Sequence, residues 1–201
     1  MEIFTLASTI GTVSFAISGM AAGVRKKLDL LGILIAATLT ALGGGMMRDI
    51  LVGHIPRALT EQTPMVTVLF SLLAAWLLRL HKRPDVEEKL LFVISDTLGL
   101  IAFAITGALV GLHAGLTLFG VLLLALVTAV GGGILRDILL NEIPLILSSE
   151  FYGSVALVVA LILYLLHHFD LLTTPNVSLL FIGGVTLRLV AYFYQWQLPK
   201  L

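Results

Sequence analysis

Two short runs carry most of the chemistry open to this chain: Gly43-Gly44-Gly45-Met46-Met47-Arg48-Asp49 and Gly131-Gly132-Gly133-Ile134-Leu135-Arg136-Asp137. Each RD pair ends a long apolar stretch. A charge inside such a stretch costs at least about 2.5 kcal/mol in a membrane, so it is normally interior, paired or functional. Structural salt bridges or snorkelling to the interface are one use. Rings of charge that filter or gate ions at two mouths are the other. Adjacent helical residues point about 100° apart, so the members of an RD pair are free to take different partners. Asp96 and Arg188 also stand in apolar surroundings. Their simplest use is as mutual counter-ions or as partners for the RD pairs. The hydroxyls of Ser14, Ser18, Thr40, Thr106 and Thr128 line a wet pore or satisfy a neighbouring carbonyl.

The glycines weaken whatever helix holds them, by about 1 kcal/mol each relative to Ala. An opened backbone is tolerated in lipid only against protein or a water-filled cavity. Gly43–Gly45 and Gly131–Gly133 are therefore read as breaks or kinks beside a central pathway, with freed carbonyls available to a cation. Tight packing by small residues is the alternative. Gly19 with Gly23, and Gly107 with Gly111, have the spacing of close helix contacts, within or between subunits.

No catalytic site is expected. The five His are scattered, none has a metal-binding spacing, and the glycine runs lack the Gly-Lys of a phosphate loop. There is no Cys, hence no thiolate metal site, and no metal is expected. Twelve basic residues balance twelve acidic ones, which excludes a global basic field for nucleic acid.

The elements that must hold these residues follow from composition. The 201 residues are 59% hydrophobic and only 12% charged, and mean hydropathy is +1.08. Soluble domains carry about a quarter charged residues. An all-α polytopic membrane protein follows. Seven apolar stretches fit spans of about 20 residues, at 3–24, 28–52, 63–80, 90–112, 116–140, 151–168 and 177–195. Arg25, Lys26, Lys27, Arg79, Lys82, Arg83, Lys89 and Lys200 mark one side, and only Arg57 the other. The positive-inside rule then puts the N-terminus outside and the C-terminus in the cytoplasm. Tyr192, Phe193, Tyr194 and Trp196 form an interfacial aromatic belt.

The chain also repeats itself. Shifted by 88 residues, Phe15–Pro56 falls on Phe103–Pro144 without a gap, and 21 of the 42 pairs are identical. Each copy holds three spans, an odd number, so the second enters the membrane from the opposite side. The units are 1–88 and 89–172, an inverted-topology pair, with a seventh span in 173–201.

Seven spans, two three-helix repeats and the paired GGGxxRDI motif resemble the prokaryotic members of the trimeric intracellular cation (TRIC) channel family. Their sequences also carry the description of a glycine-transporter domain present twice. The resemblance implies a homotrimer with one pore per subunit between the repeats. It implies passage of K+ or Na+, and second and fifth helices kinked at the glycine runs. No cofactor is implied beyond the permeant ion and bound lipid. Animal members carry a Lys motif after one glycine run. This chain has Met46-Met47-Arg48 and Ile134-Leu135-Arg136, so phosphoinositide control is not expected. The short loops suit a bacterial inner membrane. The leading expectation is a passive monovalent cation channel. The alternative is a secondary transporter for a small solute such as glycine, since broken inverted repeats are common in transporters.

Overall fold

A computed structural model describes residues 2–80, 85–148 and 151–196. Lys82, Arg83 and Lys200 lie outside the described residues. Among these residues the elements are helical: α1 (Glu2–Arg25), α2 (Leu30–Leu51), α3 (Arg57–Thr60), α4 (Thr63–Leu77), α5 (Asp85–His113), α6 (Leu118–Leu139), α7 (Leu145–Ser148), α8 (Tyr152–His168) and α9 (Thr174–Phe193). Five of them, α1, α2, α5, α6 and α9, are long and apolar enough to cross a membrane; α4 and α8 are shorter apolar helices. These seven match the seven expected spans, and α3 and α7 are single turns between them.

The repeat is visible residue by residue. Adding 88 to the bounds of α2 gives those of α6, and the same shift carries α3 onto α7. The caps agree too: Asp29 and Thr117 each accept the N–H of the residue three along, Gly32 and Gly120. These side chains satisfy amides that a helix start leaves orphaned. The same shift relates two pairs of left-handed turn residues, Lys27 with Gly115 and Gly53 with Asn141.

The burial pattern is that of a membrane protein. Leu30, Phe70, Phe119 and Leu179 are at least 70% exposed, while Arg48, Asp49, Asp96, Arg136, Asp137 and Arg188 are at most 5% exposed. Large apolar side chains can face outward in that number only where the solvent is lipid. The core is built from small residues and from the four helices α1, α2, α5 and α6, which pack most closely on one another.

Symmetry-related glycines make that packing possible. A side chain at Gly44 would meet the carbonyl of Thr128, and one at Gly132 would meet the carbonyl of Thr40. Likewise Gly11 abuts the Phe103 ring and Gly99 abuts the Phe15 ring. Phe15 and Phe103 meet edge to face at 5.2 Å. Reciprocal contacts of this kind are the mark of a two-fold axis. Gly19 packs on Ala37 and Thr40, and Gly107 on Ala125 and Thr128. These small-residue pairs thus work within one chain.

Both glycine runs sit in uninterrupted helix. The expectation of freed carbonyls is therefore corrected. The backbone hydrogen-bond ladder stays closed, and what the glycines supply is close approach of α2 to α6.

Candidate functional site

Each RD pair ends its helix above a one-turn helix, and the aspartate plays the same part in both copies. Arg48 donates to Asp49 Oδ1 through Nε at 2.8 Å and Nη2 at 2.7 Å. Arg136 Nε donates to Asp137 Oδ1 at 2.8 Å. The neighbours do pair, because the long Arg side chain folds back along the helix. The second carboxylate oxygen serves the next element. Asp49 Oδ2 accepts the Arg57 N–H at 3.0 Å, and Asp137 Oδ2 accepts the Leu145 N–H at 2.9 Å. A carboxylate at a helix start satisfies an orphan amide and complements the dipole. The RD motif is thus a joint that fixes α3 on α2 and α7 on α6.

Beyond the joint the two copies diverge. Arg48 faces a cleft of about 80 Å³. Its walls carry Thr5, Ser8, Thr9 and Thr12 of α1, and Thr63 and Thr67 of α4. Glu61 stands at the mouth, paired with Arg57 at 2.8 Å. The hydrogen bond and charge of Arg57 hold the Glu61 carboxyl below its ordinary range. Both guanidiniums here, Arg48 and Arg57, have an acid beside them, and the α1 and α4 walls add hydroxyls.

Arg136 faces no such opening. It is fully buried. Nη1 donates to Asp96 Oδ1 at 2.6 Å and to Ser18 Oγ at 2.7 Å. Ser18 in turn donates to Asp96 Oδ1, and the Tyr152 hydroxyl donates to Asp96 Oδ2 at 2.6 Å. The guanidinium lies 4.7 Å over the Phe92 ring. The Arg25 guanidinium lies 4.9 Å from the same ring and is itself tied to Glu142 at 3.2 Å. Lys26 reaches Glu142 at 3.0 Å. Arg188 lies 5.2 Å over the Tyr152 ring.

Asp96 is therefore a partner of the second RD pair, one of the two uses expected for it. Arg188 approaches the same cluster across Tyr152. Ser18 belongs to this cluster as well. Thr106 does not line an opening. Its hydroxyl turns back to the Phe103 carbonyl at 3.1 Å and is fully buried. Thr40 and Thr128 do the same toward Ala36 and Leu124, at 2.6 Å each. Ser14 is buried on α1 and is not part of the cleft wall.

Three features escaped the sequence reading. Thr5, Ser8, Thr9 and Thr12 follow the spacing i, i+3, i+4, i+7, one face of a helix. That stripe was a signal. Phe4 and Phe92 stand 88 apart, each beneath two guanidiniums. Tyr152 was visible only as a phenol at the start of an apolar span, where its hydroxyl needs a partner.

The comparisons agree with this architecture. The family model described as Glycine transporter matches twice, over residues 5–80 and 93–168, again 88 apart. The chain belongs to this family, the prokaryotic TRIC channels. The UPF0126 membrane protein YvgT of Bacillus subtilis (strain 168) is 34% identical over 205 residues, 97% of this chain and 95% of that protein. Among solved structures, one described in work on conductance through TRIC cation channels is 33% identical. It superposes with a TM-score of 0.84 over 98% of this chain and 97% of its own. The TRIC trimeric intracellular cation channel orthologue from Rhodobacter sphaeroides is 26% identical, with a TM-score of 0.89 over 98% and 100% of the two chains.

Proposed function

We propose that the chain is a passive channel for monovalent cations, K+ or Na+, in a bacterial inner membrane. The observation that carries this is the full-length structural match to TRIC cation channels, joined to a cleft beside Arg48 whose α1 and α4 walls carry hydroxyls. Hydroxyl and carboxylate oxygens replace part of an ion's hydration shell. Asp49 and Glu61 neutralise the cleft's two guanidiniums, so a cation meets no net positive barrier there.

The face with Arg25, Lys26 and Glu142 is the cytoplasmic one, and the cleft opens outward. The working unit is a homotrimer, in line with the Rhodobacter sphaeroides relative, which is described as trimeric; within it each subunit carries its own pathway. A transporter for glycine is the second reading, favoured by the family description.

Purified protein in a planar bilayer separates the two. Unitary currents that reverse at the K+ equilibrium potential in a KCl gradient support the channel. Saturable glycine counterflow without unitary current overturns it. A lone Cys placed at Glu61 should label from outside, and one at Lys26 only after permeabilisation.

A further inference from the structure

The charges of the cleft beside Arg48 do not choose between a cation and an anion. Its two guanidiniums, Arg48 and Arg57, are paired with Asp49 and Glu61. A hydroxyl both donates and accepts, so the wall hydroxyls solvate an ion of either sign. A pathway that passes K+ and excludes Cl- needs a group of one sign without a counter-ion. An aromatic ring is such a group, because its face is negative although the side chain is uncharged.

One ridge of α1 leads from the cleft to such a ring. Thr9, Thr12, Phe15 and Ser18 stand three residues apart, each the neighbour of the last on the helix surface. Thr9 and Thr12 line the cleft. Ser18, at the far end, bonds to Asp96 and Arg136. The ridge is therefore hydroxyl on both sides of Phe15. The Phe15 ring meets Phe103 edge to face, with centroids 5.2 Å apart. Phe103, Ala41 and Leu42 belong both to the cleft wall and to the buried apolar cluster that holds Phe15, Ala16 and Val68. The cleft thus ends on the ring pair.

The repeat keeps this pair while the wall around it changes. Under the 88-residue shift Thr5 becomes Val93 and Thr12 becomes Leu100, but Gly11 and Phe15 return as Gly99 and Phe103. A side chain at Gly11 would overlap the Phe103 ring, and one at Gly99 would overlap the Phe15 ring. Each ring therefore lies directly against the backbone of the opposite helix, and together they bridge α1 and α5.

We infer that Phe15 and Phe103 form the constriction at which the pathway selects cations over anions. This rests on the channel reading and places charge selection on two ring faces rather than on the RD pairs. In this structure the edge of one ring covers the face of the other. An ion passes when the rings part, and a face turned to the path attracts a cation and repels an anion. The surrounding Ala16, Ala41, Leu42 and Val68 are buried and apolar, so water does not screen that field.

The test is the reversal potential of single channels formed by the full chain in a KCl gradient. Phe103→Leu keeps an apolar side chain and removes the ring face. The K+ to Cl- permeability ratio should fall about tenfold, the scale of one cation–π contact away from water, and reversal should move toward zero. Wild-type selectivity with an unchanged ratio in Phe103→Leu overturns the ring constriction and leaves the channel standing. No unitary current in the wild type, or current that reverses at zero, overturns the cation-channel reading and the ring constriction with it. Phe15→Leu serves where Phe103→Leu does not fold or does not conduct, and by the two-fold relation it should give the same fall. Phe103→Tyr keeps the face and should keep the ratio. A fall in Phe103→Tyr as large as in Phe103→Leu, or no fall in Phe15→Leu, overturns the proposal.

Discussion

Arg48 and Arg136 occupy the same position in two copies of one motif, yet one borders water and the other is sealed. The joint beneath each is identical, down to the aspartate oxygen that holds the next one-turn helix. The difference comes from residues far away in sequence. On one side α1 offers a stripe of hydroxyls and α4 begins with Thr63 and Pro64. On the other α5 offers Asp96 among Val93 and Leu100, and α8 begins with Tyr152. Both rings beneath the guanidiniums survive, Phe4 at 5.3 Å from Arg48 and Phe92 at 4.7 Å from Arg136. Duplication preserved the scaffold and diverged in what surrounds the charge. A charge-poor chain thus sets one guanidinium beside a cleft and seals the other in the core.

The strongest way to break this comparison is at the position where the copies differ most. Asp96→Ala leaves the buried guanidinium with Asp137 as its remaining carboxylate and Ser18 as a neutral partner. Removing one partner of a buried ion pair costs about 3–5 kcal/mol. Its counterpart Ser8→Ala touches only the cleft wall and should stay within about 0.5 kcal/mol. Reversible unfolding in detergent measures both. Equal losses would mean that Arg136 does not depend on Asp96.

The next largest effect checks what the copies share. Gly44→Ala and Gly132→Ala each push a methyl onto a facing backbone carbonyl. Overpacking of that kind costs about 1–3 kcal/mol, and the two values should agree. Gly45→Ala and Gly133→Ala have nothing nearer than 3.6 Å. They should cost nothing and gain up to about 1 kcal/mol of helix propensity. A tolerated Gly132→Ala would refute the close approach of α2 and α6.

Much of this was legible in the sequence. The seven spans came from apolar length, and the inversion came from an odd number of spans per copy. The RD pairs stood out because a charge in lipid must be accounted for. Two things were hidden for physical reasons. Glycine runs have the same signature whether they open a helix or let two helices touch, and only the position of the facing carbonyls of Thr40 and Thr128 decides it. Asp96, Ser18 and Tyr152 lie on three helices, so their convergence on Arg136 is a matter of packing that no spacing records. Thr106 misled through its alignment with Ser18: both copies keep a hydroxyl, but one bonds across helices and the other back to its own.

Access to solvent gives a smaller, sharper contrast. The chain has no Cys, so single thiols can be introduced cleanly. Thr9 lines the cleft, while its counterpart Thr97 is buried at 2% exposure. A thiol at Thr9 should react with a small charged thiosulfonate at least about tenfold faster than one at Thr97, since only exposed thiols are attacked readily. Equal rates at the two thiols would mean that the two halves do not differ in access to solvent.

The smallest effect lies at the face behind Arg136, where Arg25 and Lys26 grip Glu142. Burial works to raise the Glu142 carboxyl, but the hydrogen bond from Lys26 and the charges of Arg25 and Lys26 outweigh it and leave the group below its ordinary 4.5. A carboxyl lowered on folding stabilises the folded state fully above its unfolded value, and the contribution fades as pH falls through the folded one. Glu142 is about a third exposed, so the contribution is that of a surface pair, about 0.5 kcal/mol. Glu142→Gln should therefore lower stability slightly at pH 7 and match the wild type near pH 3. The counterpart in the other copy is His54, exposed and outside any such grip. His54→Gln should leave stability unchanged at pH 7. A Glu142→Gln deficit that persists at pH 3 would show that the side chain acts by packing against α1 and not by its charge, and the asymmetry between the two faces would then need another source.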